Sequence, residues 1–161
     1  MNPLLADPAE FAALLQRFFV ERLLQQQAVS ARTVAAYRDT FRLLLGYAER
    51  KLGIPPDRLT LGDFNAELVL GFLSYLESER HNSVRSRNAR LAAVRGFARY
   101  IAVQCPAALL IVQKILAIPM KRFDKPLLGF LSRAEVQAIL AAPDITTWCG
   151  RRDRVLLKLL Y

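Results

Sequence analysis

Apolar residues return at three- and four-residue steps through most of this chain, the spacing that lines one face of a helix. Phe11, Leu14, Leu15, Phe18 and Leu23 form the first such stripe, interrupted by Arg22. Asp7 stands where an N-cap is needed, and Pro8 takes the first helical position, where a missing N–H costs nothing. Gln25, Gln26 and Gln27 carry this helix to a break before Val29. Ser30 caps a second helix over 31–52, closed by Gly53 with Pro55 and Pro56 beyond it. In that helix Val34, Tyr37, Phe41, Leu44, Leu45, Ala48 and Leu52 fall within an arc of about 100°, the width of a core-facing stripe.

Residues 54–65 read as a loop in which Thr60 and Asp63 offer turn or capping oxygens. A third helix over 66–79 buries Leu68, Val69, Phe72, Leu73, Tyr75 and Leu76 and exposes Glu67, Glu77 and Glu79. Arg80, His81 and Asn82 link it to a fourth helix over 84–104, capped by Ser83. Leu91, Val94, Phe97, Ala98 and Ile101 share one face of this fourth helix, while Arg85, Asn88, Arg95 and Arg99 gather on another. Arg87 and Arg90 lie near its start, where free N–H groups and the helix dipole favour anions. In the second helix Ser30, Arg32 and Thr33 occupy the same positive end, and Arg38 and Arg42 flank the stripe.

A short helix over 107–118 ends at Pro119. Lys121, Arg122 and Lys125, beside Pro126 and Gly129, read as a basic extended linker over 119–130. Ser132 and Glu135 form a capping box for a helix over 133–142. A last helix starts near Cys149 or Gly150 and shows Val155, Leu156, Leu159 and Leu160 on one side. The chain stops at Tyr161 inside that helix, an end expected to be cut rather than finished.

Charge changes this picture from a helical bundle to a polarised one. The chain of 161 residues is 53% apolar, which points to a packed core, yet its net charge is +9 and its pI about 10.2. Such a balance suits a polyanion, either nucleic acid or an acidic membrane face. Residues 83–125 hold nine basic side chains against one acidic, and residues 30–53 hold five against two. Residues 54–82 reverse the sign, with two basic against five acidic, so one side of the bundle is expected to face the anion and the acidic helix to face away. Taken singly, each arginine is equally well explained as part of a solvated helix face.

Other chemistry finds little support. Cys105 and Cys149 have no CxxC or Cys/His spacing, so neither a disulfide framework nor a metal site is expected. His81 is the only histidine, no catalytic set is visible, and no cofactor is implied. The N-terminus shows no signal peptide, and the apolar run 107–120 is too short and too interrupted for a membrane span. A cytoplasmic, nucleoid-associated protein without membrane partners is expected.

The string Ser30, Thr33, Tyr37, Arg38, Asp39 and Phe41 resembles the second helix of the N-terminal core-binding domain of tyrosine recombinases, the phage integrase and Xer-type family. Arg87 to Tyr100 resembles that domain's fourth helix. Phe130 to Val136, with Arg152, Asp153 and Leu156 to Tyr161, is similar to the opening of the family's catalytic domain. The resemblance covers about residues 8–161 and lies in the order and spacing of these motifs.

The resemblance implies an all-α fold: a four- to five-helix orthogonal, SAM-like core-binding bundle over 1–118, a basic linker over 119–130, and a truncated helical start of a second domain over 131–161. It implies a clamp on double-stranded DNA, with the second and fourth helices along the major groove. The DNA-facing positions it implies are Arg32, Thr33, Arg38, Arg85, Arg87, Asn88, Arg90, Arg95, Arg99, Lys121, Arg122 and Lys125. Tyr37 is shared between this set and the core. Arg87 and Asn88 suit base edges, through bidentate pairs with guanine and adenine, and the others suit phosphates.

Family members cleave DNA with an arginine–lysine–histidine–arginine set and a nucleophilic tyrosine, and they assemble as tetramers on paired sites. By position that set falls beyond Tyr161, which matches a packing tyrosine, so no catalysis by this chain is expected. It is expected to be monomeric or weakly self-associating. Two other classes stay open: a helical DNA-binding regulator, and a protein-interaction bundle using its basic face against an acidic partner.

Overall fold

A computed structural model describes residues 6–123 and 129–161, and among these the regular structure is helical with no strand. The described residues fall into two compact units, one ending at Phe123 and the other formed by the residues after it.

The first unit holds α1 (Pro8–Arg17), α2 (Ala31–Leu52), α3 (Ala66–Ser78), α4 (Val84–Gln104) and α5 (Leu109–Ala117). Local chemistry starts most of them. Side-chain oxygens of Asp7, Ser30, Asn65 and Ser83 accept hydrogen bonds from the N–H groups of Ala9, Thr33, Leu68 and Ser86 at 2.9–3.2 Å. Each cap satisfies one N–H that has no partner inside its helix. Gly53 ends α2 at φ +67, the left-handed conformation that only a residue without a Cβ adopts without strain.

Two segments differ from the expected pattern. α1 runs without a break into a π-helical stretch, Phe18–Gln26, and Ala28 then turns the chain at φ +46. The wider winding takes Arg22 off the apolar stripe and leaves it on the surface. The 54–65 segment is not merely a surface loop, since Leu59, Leu61 and Phe64 are buried in the core. Thr60 and Asp63 hold it in shape: the Thr60 N–H and Oγ1 both donate to Asp63 Oδ2, at 3.0 and 2.7 Å. A further difference lies in α2, whose Leu52 is exposed at the end of the stripe.

The core centres on Phe97 of α4, whose ring meets Phe11, Phe18, Phe41 and Phe64 at centroid separations of 5.3–5.9 Å. Each of those rings comes from a different segment. Burial of this cluster with Leu14, Leu44, Leu76, Leu91 and Ile101 removes the apolar stripes of α1 to α4 from water.

The second unit pairs α6 (Arg133–Ala141) with α7 (Trp148–Leu160). The capping box of α6 is complete, with Ser132 N–H donating to Glu135 Oε2 at 2.7 Å and Glu135 N–H to Ser132 Oγ at 3.3 Å. The bond from the Ser132 N–H, with a further contribution from the Ser132 side chain, holds the Glu135 carboxyl below its ordinary pKa. α7 starts one to two residues earlier than expected, because Thr147 Oγ1 accepts from the Gly150 N–H at 3.0 Å. Gly150 is buried, and a Cβ there would collide with the Asp144 carbonyl oxygen.

Ala28 and His81 (φ +51) are both non-glycine residues in the left-handed region. That conformation costs about 1–2 kcal/mol with a Cβ, and glycine returns about 0.5–1 kcal/mol of it as unfolded-chain entropy. Ala28→Gly and His81→Gly are each expected to raise stability by about 0.5–1 kcal/mol. A higher urea midpoint at unchanged slope is the check.

Candidate nucleic-acid interface

The N-terminal half of α2 and the first half of α4 enclose a hollow of about 460 Å³. Arg32, Thr33, Tyr37 and Asp39 line it from α2, and Ser86, Ala89, Arg90 and Ala93 from α4. A second hollow of about 650 Å³ adjoins it at Tyr37 and continues along α4 past Ala92, Gly96 and Arg99 to Gln104. Arg22 and Gln27 close its other wall. At 100° per residue, Arg85, Ala89, Ala92, Gly96, Arg99 and Val103 form one outward stripe of α4. Cations stand near both ends of that stripe, and small residues fill the middle.

Arg90 is half-buried between the two helices, with its Nε enclosed and without a hydrogen-bond partner. Burial lowers its pKa first, the nearby Arg80 lowers it further, and Asp39 opposes both. A guanidinium in that setting gains from an incoming anion more than one already surrounded by water. Ser30 and Thr33 occupy the α2 start beside it, their hydroxyls 2.9 Å apart. Arg32, Arg85, Arg99 and Arg122 are exposed.

Arg87 and Asn88 do not lie at the surface, contrary to the expectation that they reach base edges. They are 5% and 7% exposed and turn toward the chain that follows α5. Arg87 Nη1 donates to Pro119 O at 3.2 Å and to Asn88 Oδ1 at 3.1 Å. Asn88 Nδ2 donates to Lys121 O at 2.7 Å, and Lys121 N–H donates back to Asn88 Oδ1 at 3.1 Å. Glu77 completes the group: Lys121 Nζ reaches its two carboxylate oxygens at 2.8 and 2.9 Å, and Arg87 Nε lies 3.9 Å away. Glu77 is therefore a half-buried counter-ion instead of an exposed acid on a face turned away.

Arg95 and Arg38 also leave the expected face. Arg95 Nη2 donates to Leu116 O at 2.7 Å, placing a cation on the last carbonyls of α5. Arg38 lines a different groove, between α1 and α2, with Arg42 and with Phe11, Leu15 and Phe41 on its floor. Lys125 lies outside the described residues. The two hollows thus bring together Arg32, Thr33, Arg90 and Arg99, with Arg85 at the head of the same α4 stripe. Arg22, Ser86, Gln27 and Gln104 join them without having been singled out. Arg22 had one legible signal, its position as a lone charge on an apolar stripe.

The phage integrase N-terminal SAM-like domain matches residues 16–104, more than half of the chain. The chain belongs to the phage integrase family of tyrosine recombinases. Among relatives in this family, the integrase/recombinase y4rC of Sinorhizobium fredii is 50% identical over 149 residues, covering 92% of this chain and 45% of the relative. The integrase/recombinase y4rD of the same organism is 40% identical over 92% of this chain and 53% of its own length. Tyrosine recombinase XerD of Pseudomonas putida is 30% identical over 89% of this chain and 45% of the relative. The chain spans about half the length of these relatives. No solved structure shows a significant match. Among the described residues no helix is long and apolar enough to cross a membrane.

The burial difference between neighbouring arginines gives a direct test. Arg87→Ala removes one partner of a buried polar group and is expected to cost about 3–5 kcal/mol. Arg85→Ala, at an exposed site, is expected to stay within about 0.5 kcal/mol of the parent chain. Urea unfolding of the two variants separates them.

Proposed function

We propose that this chain is the DNA-binding part of a site-specific recombinase of this family, acting on double-stranded DNA in the cytoplasm. The observation that carries this reading is the hollow in which the start of α2 and the half-buried Arg90 of α4 converge. Two neighbouring helices that offer cations beside a shared groove can track one phosphate chain. Arg32, Thr33, Arg85, Arg90 and Arg99 are the contacts, with Arg122 from the segment that follows. Ala89 and Ala92 leave room for the sugar–phosphate backbone to approach α4 closely, whereas Gly96 makes room for the Tyr37 ring. Arg87, Asn88 and Arg95 serve the interface by holding α4, α5 and the outgoing chain in place. Strand cleavage is assigned to none of the described residues, and a covalent adduct trapped on a nicked suicide substrate would contradict that assignment.

Titration of duplex DNA at several salt concentrations tests the binding. Neutralising about five phosphates gives a log–log slope of about −4 to −5. Arg32→Ala, Arg90→Ala and Arg99→Ala are each expected to weaken binding and to make the slope about one unit shallower. A flat salt response in the parent chain would favour a protein partner instead.

A further inference from the structure

Sequence spacing marks the chain after Pro119 as a free linker, yet its first residues are held by two of the most deeply buried polar side chains of α4. Asn88 pairs with both the N–H and the C=O of Lys121, as one strand residue pairs with another. This recognises main chain, so it is indifferent to the side chain at 121. Arg87 holds the Pro119 carbonyl two residues earlier and fixes the Asn88 carboxamide by donating to the same Oδ1 that Lys121 N–H uses. Glu77 of α3 neutralises Arg87 and takes Lys121 Nζ, which ties the arrangement to a third element. These residues follow one another by 32 and 33 positions in sequence, so the contacts are tertiary.

We propose that Asn88, oriented by Arg87 and Glu77, is a latch that fastens the departing chain to α4. Arg122, the next residue, thereby starts from a fixed point beside the DNA-facing helix. The latch is a positioning device and contacts no DNA. Its role in delivering that cation rests on the DNA reading above, whereas its existence does not. An untethered segment would sample many paths and lose entropy on reaching phosphate, and a latched one has lost part of it already.

Hydrogen exchange and limited trypsin digestion of the whole chain test this, because Lys121 and Arg122 are themselves cleavage sites. In the parent chain the Lys121 amide is expected to be protected. Asn88→Leu should speed its exchange by about fivefold to tenfold, the loss of a typical hydrogen bond. It should also speed cleavage after Lys121 and Arg122, with Phe97 and Ile101 amides unchanged. Asn88→Asp keeps the acceptor and loses the donor. It should give a smaller increase, and it carries the test if the leucine variant unfolds. Lys121→Met should retain protection, since only the Glu77 contact is lost.

An unprotected Lys121 amide in the parent chain, or Asn88→Leu and Asn88→Asp chains that both match the parent, would overturn the latch. The delivery role is read separately from the salt slope for duplex DNA, which should become about one unit shallower in Asn88→Asp. An unchanged slope beside faster exchange would overturn delivery and leave the latch standing. Absence of any salt-dependent binding in the parent chain would overturn the DNA reading, with the exchange results still deciding the latch.

Discussion

Phe97 must satisfy four other phenylalanine rings at once, and much of the first unit follows from that. Its neighbours come from α1, the π-helical stretch, α2 and the 54–65 segment, so no one of these can shift without opening a gap against the same ring. Each contact between rings contributes about 0.5–1.5 kcal/mol beyond the area it buries, and close packing makes the arrangement intolerant of partial movement. A helix whose inner face is fixed this way has its outer face fixed as well. The outward stripe from Arg85 to Arg99 is therefore held in orientation by hydrocarbon on the other flank of α4.

How much of this was legible from the sequence depends on the range of the interaction. Caps at Asp7, Ser30, Ser83 and Ser132, and the left-handed stop at Gly53, act over two to four residues, and they could be read directly. The apolar stripes also gave the core face of each helix. Winding in the 18–26 stretch was not legible, because apolar spacing alone does not separate i→i+4 from i→i+5 bonding over so short a run. Arg87, Asn88 and Arg95 were misassigned for a different reason. A helical wheel reports what a residue's own helix leaves uncovered, and here α5 and the chain behind it return to cover that face.

The charge pattern survives in a narrower form. Net charge pointed to the whole basic face of α4, but three of its polar groups are spent inside the protein. What remains is a smaller set, Arg32, Arg85, Arg90 and Arg99, on two helices whose separation is fixed by buried rings. Shape decides among residues that composition treats as equal.

Arg32 and Lys51 are separated by nineteen positions of α2, which at 1.5 Å per residue is about 28 Å along its axis. The hollow lined by Arg32, Asp39 and Arg90 lies at one end of that rod, and a pocket lined by Lys51, Asp63 and Glu67 lies at the other. That length is about three times the roughly 8 Å over which physiological salt screens a charge, so the excess charge at one end of the helix does not offset that at the other.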